Sequence, residues 1–512
     1  MWYSRLCIIF IIQLLYKQVD GLEYFSLHNG YKVLHLALTS TLTPTSTLKV
    51  QTRWMEQPLD HFDSSENRIW MMRYFENLQL WKAKGPIIIF IGGEGEADPR
   101  FLTGGLIYEL ANETNGALFM SEHRYYGKSK PLKYNGVESL QFLSSRQALA
   151  DLARMIERLK LLPVFKNSKV ILVGGSYPGN LAAWMKLLYP DLVDAALASS
   201  APVLAKKNFY EYLETVSDVY EQIGPPGCHD AVTRIFKRYE ELLSSKSGIL
   251  QLKKELNICK NSDLNRDENK QLFIYAMTGY YMVNAQYGSV SKVNKHCNEL
   301  MNTSSVRANN QLSGWFNDLK PISFWDEEED CNSIDFDEII DEIKNNEWWT
   351  SWVYQMCSEF SYAKSTSSDN QPFTKYIPIT TFYKICTLAF GDKFNELSIE
   401  KAVNATNKLY GGLKPKVKHV VFVNGDMDPW HRLGVLEDIS YEAVAKVIPR
   451  SSHCVDLLPS RKGDSEELKE TRAYIKYMIK HWIGIEPCDL KESPDCLKYK
   501  IETRKINKSK LK

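Results

Sequence analysis

The chain has 512 residues, of which 44% are hydrophobic and 24% charged. That is the make-up of a globular protein with room for two or three domains, and it excludes a disordered or fibrous chain. Its 63 basic and 62 acidic residues leave a formal charge of +1, so no global field recruits nucleic acid or an anionic membrane.

Met1 to Arg5 is a short basic lead, and Leu6 to Tyr16 is an apolar stretch too short to span a bilayer comfortably. Val19-Asp20-Gly21 offers small or modest residues before a cleavage point. Residues 1–21 are therefore expected to be a removed secretory signal. No later segment is long and apolar enough to anchor the mature chain, so an extracellular or lysosomal product without a membrane anchor is expected. Sequons at Asn112, Asn302, Asn404 and Asn507 agree with that route.

Short apolar runs then recur, each leading into a turn-rich stretch. Pro86 to Ile91 precedes Gly92-Gly93-Glu94-Gly95, Ala117 to Met120 precedes Glu122-His123-Arg124, and Val170 to Val173 precedes Ser176. Ala195 to Ala198 precedes Ser199-Ser200-Ala201-Pro202, and His419 to Val423 precedes Asn424-Gly425. Such runs read as buried parallel strands. Between them Ser145 to Leu162 carries Leu149, Leu152, Ala153, Ile156 and Leu159 at helical spacing, which predicts alternating β-α-β units and a mostly parallel sheet.

Lys169 to Gly179 predicts a strand that turns through a glycine pair into a helix, with Ser176 at the bend. A sharp bend projects the hydroxyl and makes a serine nucleophile. Leu181, Trp184, Met185 and Leu188 then lie on one helix face, and Pro190 closes the helix. Pro178 stands where a second small glycine is expected, a tolerable change in a first helical turn, and it leaves the Tyr177 N–H intact.

From about residue 205 to 345 the pattern changes to charged helical segments with clustered cysteines, which reads as an inserted cap between a core of 22–204 and one of 346–484. Of ten cysteines, Cys7 lies in the signal and six (Cys228, Cys259, Cys297, Cys331, Cys357, Cys386) fall between 228 and 386. Cys488 and Cys496 are close enough to pair in the tail, 485–512, and Cys454 is left over. An oxidising compartment favours disulfides, and no CxxC spacing suggests zinc.

A serine nucleophile needs a base and a carboxylate that orients it, in the chain order serine, acid, histidine on a sheet of this kind. The loop after His419 to Val423 holds Asp426 and Asp428, between which spacing does not choose. The run Ala443 to Ile448 empties into Pro449-Arg450-Ser451-Ser452-His453. His453 fits the base better than His431, three residues past Asp428, or His481 inside the helix expected over Asp464 to Trp482. Oxyanion donors are expected at the Tyr177 N–H and near Gly93. Glu94 faces either a substrate amine or solvent.

Gly174-Gly175-Ser176-Tyr177, Glu122-His123-Arg124-Tyr125-Tyr126-Gly127, Ser199 to Val203, Asn424 to Trp430 and Gln57-Pro58-Leu59-Asp60-His61-Phe62 together resemble the serine peptidase family of prolylcarboxypeptidase, dipeptidyl peptidase II and thymus-specific serine protease. The similarity runs from about Gln57 to about Trp482, and Ser451-Ser452-His453-Cys454 resembles the thymus-specific branch. The resemblance implies an α/β-hydrolase core with a helical, disulfide-containing cap inserted after the elbow, and a triad of Ser176, Asp428 and His453. It also implies the pairs Cys228–Cys297, Cys259–Cys331 and Cys357–Cys386, and exopeptidase activity next to proline. Ser361 and Lys364 depart from the family's glycine and glutamine.

The expected function is thus a secreted or lysosomal serine exopeptidase for short peptides, of the dipeptidyl peptidase or Pro-Xaa carboxypeptidase type, acting through an acyl-enzyme. Trp352, Met356 and Trp430 are candidate walls of a pocket for a proline ring. No metal or organic cofactor is required. The partners expected are peptide substrates and not nucleic acid, and a homodimer is compatible with the sequence. The alternatives are a secreted esterase or lipase on the same core, and a hydrolase-fold binding protein without turnover.

Overall fold

A computed structural model describes residues 50–302 and 331–485. The expected signal segment, Cys488–Cys496 and the Asn507 sequon lie outside the described residues. The strands are β1 (Gln51–Pro58), β2 (Ile69–Asn77), β3 (Ile87–Phe90), β4 (Ala117–Ser121), β5 (Val170–Gly175), β6 (Ala195–Ser199), β7 (Lys206–Asn208), β8 (Ser361–Ala363), β9 (Val420–Gly425) and β10 (Ala443–Ile448). Eight of them form one sheet in the order β1-β2-β4-β3-β5-β6-β9-β10, and β7 pairs with β8 apart from it. From β4 to β10 every neighbouring pair is parallel, while β1 and β2 join antiparallel at one edge. With helices on both faces this is the α/β-hydrolase fold.

The apolar runs are strands because they are buried on both faces. Ile87 and Ile89 of β3 pack into one core cluster, and Ile88 and Phe90 into the other. The period-two alternation repeats in β5, where Val170 and Leu172 face one way and Ile171 and Val173 the other, and again in β9. Each such side chain contributes roughly 1.5–3 kcal/mol by leaving water.

Helices α1 (Leu106–Thr114), α2 (Ser145–Leu161) and α3 (Tyr177–Leu188) fall between strands of the first half. The Ser144 hydroxyl caps α2 by accepting the Gln147 N–H at 3.2 Å. Between β6 and β9 lie α4 (Glu211–Gln222), α5 (Cys228–Leu243), α6 (Lys246–Glu255), α7 (Asp267–Tyr287), α8 (Val290–Asn302), α9 (Phe336–Asn345) and α10 (Glu347–Gln355). A π-type turn, Met356–Phe360, leads into β8, and α11 (Ile379–Phe390) and α12 (Glu396–Tyr410) follow. The last helix of the described residues is α13 (Glu466–Trp482).

Disulfides tie this helical region together. Cys228–Cys297 joins α5 to α8, Cys259–Cys331 joins the loop after α6 to the segment before α9, and Cys357–Cys386 joins the π-type turn to α11. No helix of the described residues is long and apolar enough to cross a membrane. Asn112, Asn302 and Asn404 are exposed.

Candidate active site

Ser176 sits between the carboxyl end of β5 and the first turn of α3, with φ 62° and ψ −134°. Such backbone in a non-glycine residue costs of order 1–3 kcal/mol and persists only where the surroundings fix it. The Ser176 N–H donates to the Ser199 carbonyl at 2.9 Å, and the Ser176 carbonyl accepts the Gly179 N–H at 2.8 Å. Gly175 must lack a side chain, because a Cβ there would lie 2.9 Å from Cys454 Sγ and 2.7 Å from Leu457 Cδ1. The loop that carries His453 therefore passes directly against the elbow.

Pro178 has its own complement in the loop after β3. A Cβ on Gly93 would come within 2.3 Å of Pro178 Cγ, so the proline ring occupies the space that the missing side chain leaves. The Tyr177 N–H belongs to the first helical turn and has no intrahelical acceptor. Its side chain is anchored behind the site: the hydroxyl meets His123 Nε2 and accepts from Gln355 Nε2, each at 3.0 Å.

The carboxyl ends of β9 and β10 bring Asp428 and His453 together. His453 Nδ1 donates to Asp428 Oδ2 at 2.6 Å, and both side chains are 0% exposed. The second Asp428 oxygen accepts the Trp430 N–H at 3.1 Å. Burial works against a charged imidazole, yet the Asp428 carboxylate and the neighbouring Cys454 together outweigh it and hold the His453 pKa well above its ordinary value. Nε2 is buried and has no hydrogen-bond partner among the described residues, so the Ser176 hydroxyl does not pair with it here. The His453 N–H donates to the Gln286 carbonyl at 2.8 Å and the Tyr287 ring stands edge-on 5.6 Å away, so the end of α7 braces the imidazole.

The other candidates separate from this pair. Asp426 is exposed and accepts the Ser451 N–H at 3.3 Å. His431 Nδ1 faces the Asp428 main-chain oxygen at 2.7 Å, and His481 lies exposed on α13. Cys454 is a buried free thiol whose N–H donates to Ser200 Oγ at 2.9 Å.

Ser176 lines a cavity of about 210 Å³ together with Glu94, Tyr177, Trp352, Met356 and Trp430. All four side chains expected to contact substrate thus share one space with the serine. Trp430 packs on Phe209, Tyr212 and Tyr362, with centroids 5.3–5.6 Å apart, and Trp352 lies 5.8 Å from Tyr177. Burial pushes the Glu94 carboxyl up to about 7, against its own backbone N–H and the charge of His453. Its Oε2 is buried without a partner among the described residues. Sequence reasoning missed Gln286 and Tyr287, which no motif marks, and did not place Lys364 in the cavity.

Residues 57–475 match the family model described as Serine carboxypeptidase S28. The thymus-specific serine protease of Mus musculus is 33% identical over 454 residues, covering 86% of this chain and 88% of that protein. The lysosomal Pro-X carboxypeptidase of Homo sapiens is 28% identical over 470 residues, covering 88% of this chain and 92% of that one. A proline iminopeptidase from Mycobacterium smegmatis aligns with a TM-score of 0.37 at 12% identity, over 84% of this chain and 99% of that chain.

Proposed function

The chain belongs to the serine carboxypeptidase S28 family, and on that premise we propose that it is an exopeptidase cleaving short peptides next to proline. Ser176 Oγ attacks the scissile carbonyl carbon while His453 Nε2 takes its proton. Asp428 holds the imidazole in the tautomer that leaves Nε2 free to accept. The oxyanion is held by the Tyr177 N–H and a backbone N–H near Gly93. Collapse breaks the C–N bond as His453 returns the proton to the leaving amine, and water then hydrolyses the Ser176 ester by the same route in reverse.

The observation that carries this reading is the 2.6 Å buried Asp428–His453 pair with Nε2 unpartnered, on a loop packed against the residue before Ser176. The aromatic walls of the cavity suit a rigid apolar imino acid ring. Lysosomal Pro-X carboxypeptidases are relatives whose name carries that specificity. The three disulfides of the described residues suit a protein of the secretory pathway, lysosomal or extracellular.

A fluorophosphonate probe is expected to label wild-type protein at Ser176 and to leave Ser176→Ala unlabelled. Peptides containing Xaa-Pro, with free and blocked ends, then separate carboxypeptidase from dipeptidyl peptidase. Labelling without cleavage of any of them, alongside turnover of simple esters, would replace the peptidase by an esterase.

A further inference from the structure

Among the described residues that line the cavity, the only formally charged side chains are Glu94 and Lys364. Lys364 follows β8 directly, after Ser361 and Tyr362 with φ 61° and 58°. Two successive non-glycine residues at positive φ are held by outside contacts. The Ser361 hydroxyl donates to the Lys207 carbonyl, and the Tyr362 hydroxyl to the Pro202 carbonyl beyond β6.

That path sets Lys364 Nζ 4.1 Å from the Tyr212 ring centroid and 5.0 Å from that of Trp430. Trp430 itself follows Asp428 in the same loop, so the amine stands on the wall that adjoins the acid of the site. Aromatic faces stabilise an ammonium by about 0.5–2 kcal/mol, yet a ring face accepts no conventional hydrogen bond from its three N–H donors, and no side chain of the described residues does so either. No carboxylate of the described residues pairs with it, unlike Lys206 and Lys207 on β7, which meet Glu211, Glu396 and Glu400. Burial pushes the Lys364 amine down to about 7, with Asp428 opposing the shift. A half-buried cation without a counter-ion, at the edge of a substrate space, is completed by an anion that arrives with the ligand.

We infer that Lys364 receives a carboxylate of the bound peptide, either its free C-terminus or an acidic side chain close to the scissile bond. The inference rests on the reading of this cavity as the peptide site.

The test compares one Pro-containing peptide as its free acid, as its C-terminal amide, and as the amide with Glu or Gln beside the scissile bond. Wild type and Lys364→Met are assayed in parallel, with fluorophosphonate labelling as the measure of a folded site. If the C-terminus is bound, wild type favours the free acid over the amide by tenfold or more in kcat/KM, mainly through KM. That preference then disappears in Lys364→Met. If a side chain is bound, the Glu-over-Gln preference behaves in the same way. Lys364→Arg, which keeps the charge, is expected to restore part of either preference. A labelled, active enzyme in which Lys364→Met changes neither ratio overturns the inference. Absence of labelling in wild type would instead strike at the peptidase reading.

Discussion

Asp426 and Asp428 stand two residues apart, yet only one can serve a histidine. Asp428 is fully buried against His453, whereas Asp426 is exposed and spends an oxygen on the Ser451 N–H. Asp428→Asn keeps the shape of the pair while presenting a donor or a weaker acceptor to Nδ1, and so favours the wrong imidazole tautomer. By analogy with the same change in other serine proteases, kcat is expected to fall by about 10⁴-fold with little change in KM. Asp426→Asn is expected to leave kcat/KM within about twofold, because exposed polar changes perturb little. Equal losses in the two variants would reassign the acid. The pH profile adds an independent readout. His453 must be neutral to accept a proton, and Asp428 raises its pKa, so kcat/KM falls as pH drops through that raised value. Asp428→Asn removes the attraction, and the acid limb of its residual activity should move to lower pH. An acid limb that stays in place would show that another group titrates there.

At the scale of elements, the loop after β3 and the start of α3 are fitted to each other through Gly93 and Pro178. Gly93→Ala would drive a methyl to 2.3 Å from the Pro178 ring, in a segment that cannot give way without moving the elbow. A loss of about 1–3 kcal/mol in stability, with a fall in kcat, is expected. Pro178→Ala makes room, so the double variant should recover most of what Gly93→Ala loses, and thermal melts of the four proteins give the coupling. Additive effects would mean that the ring is not what Gly93 accommodates. Much of this architecture was legible in the sequence because central parallel strands are continuous apolar runs, as in Ile87 to Phe90, and because the chain order of Ser176, Asp428 and His453 follows strand ends. The β1–β2 hairpin was not, since β1 lies at an edge where Gln51 to Trp54 are all exposed, and β2 carries Arg73 and Glu76 among its apolar residues. The choice of Asp428 over Asp426 was illegible from spacing, as both sit in one loop and only burial separates them. Gln286 and Tyr287 reach His453 from a helix end more than 160 positions earlier in the chain, a contact that no local pattern encodes.

At the scale of the whole molecule, buried titratable groups of opposite tendency face each other across the same pH range. His123 and His296 are held neutral by burial, with pKa values near 4 and 3 against an ordinary 6.5. Because the unfolded histidines take up protons first, their contribution is present above about pH 6.5 and is lost as pH falls. Asp456 runs the other way. It is 1% exposed, accepts the Ser199 hydroxyl, and keeps Oδ2 without a partner among the described residues, a setting that suits the protonated acid. Burial lifts its pKa from 3.8 to about 6, against the Ser199 bond and the Arg472 charge. A folded value above the unfolded one means that its contribution is full below pH 3.8 and is lost as pH rises through about 6. At 1.36 kcal/mol per pKa unit this amounts to about 3 kcal/mol. Burial lifts Glu94 and Glu359 in the same direction, to about 7 and about 6, so three acids oppose the two histidines and wild-type stability should change little between about pH 4.5 and 6.5. Asp456→Asn imitates the protonated acid at every pH and removes only the Asp456 share of the component that falls with rising pH. Its urea midpoint should climb from about pH 4.5 to 6.5 while that of wild type stays nearly level. Parallel profiles for the two proteins would place the Asp456 pKa back in the ordinary carboxylate range and leave the histidines opposed by other groups.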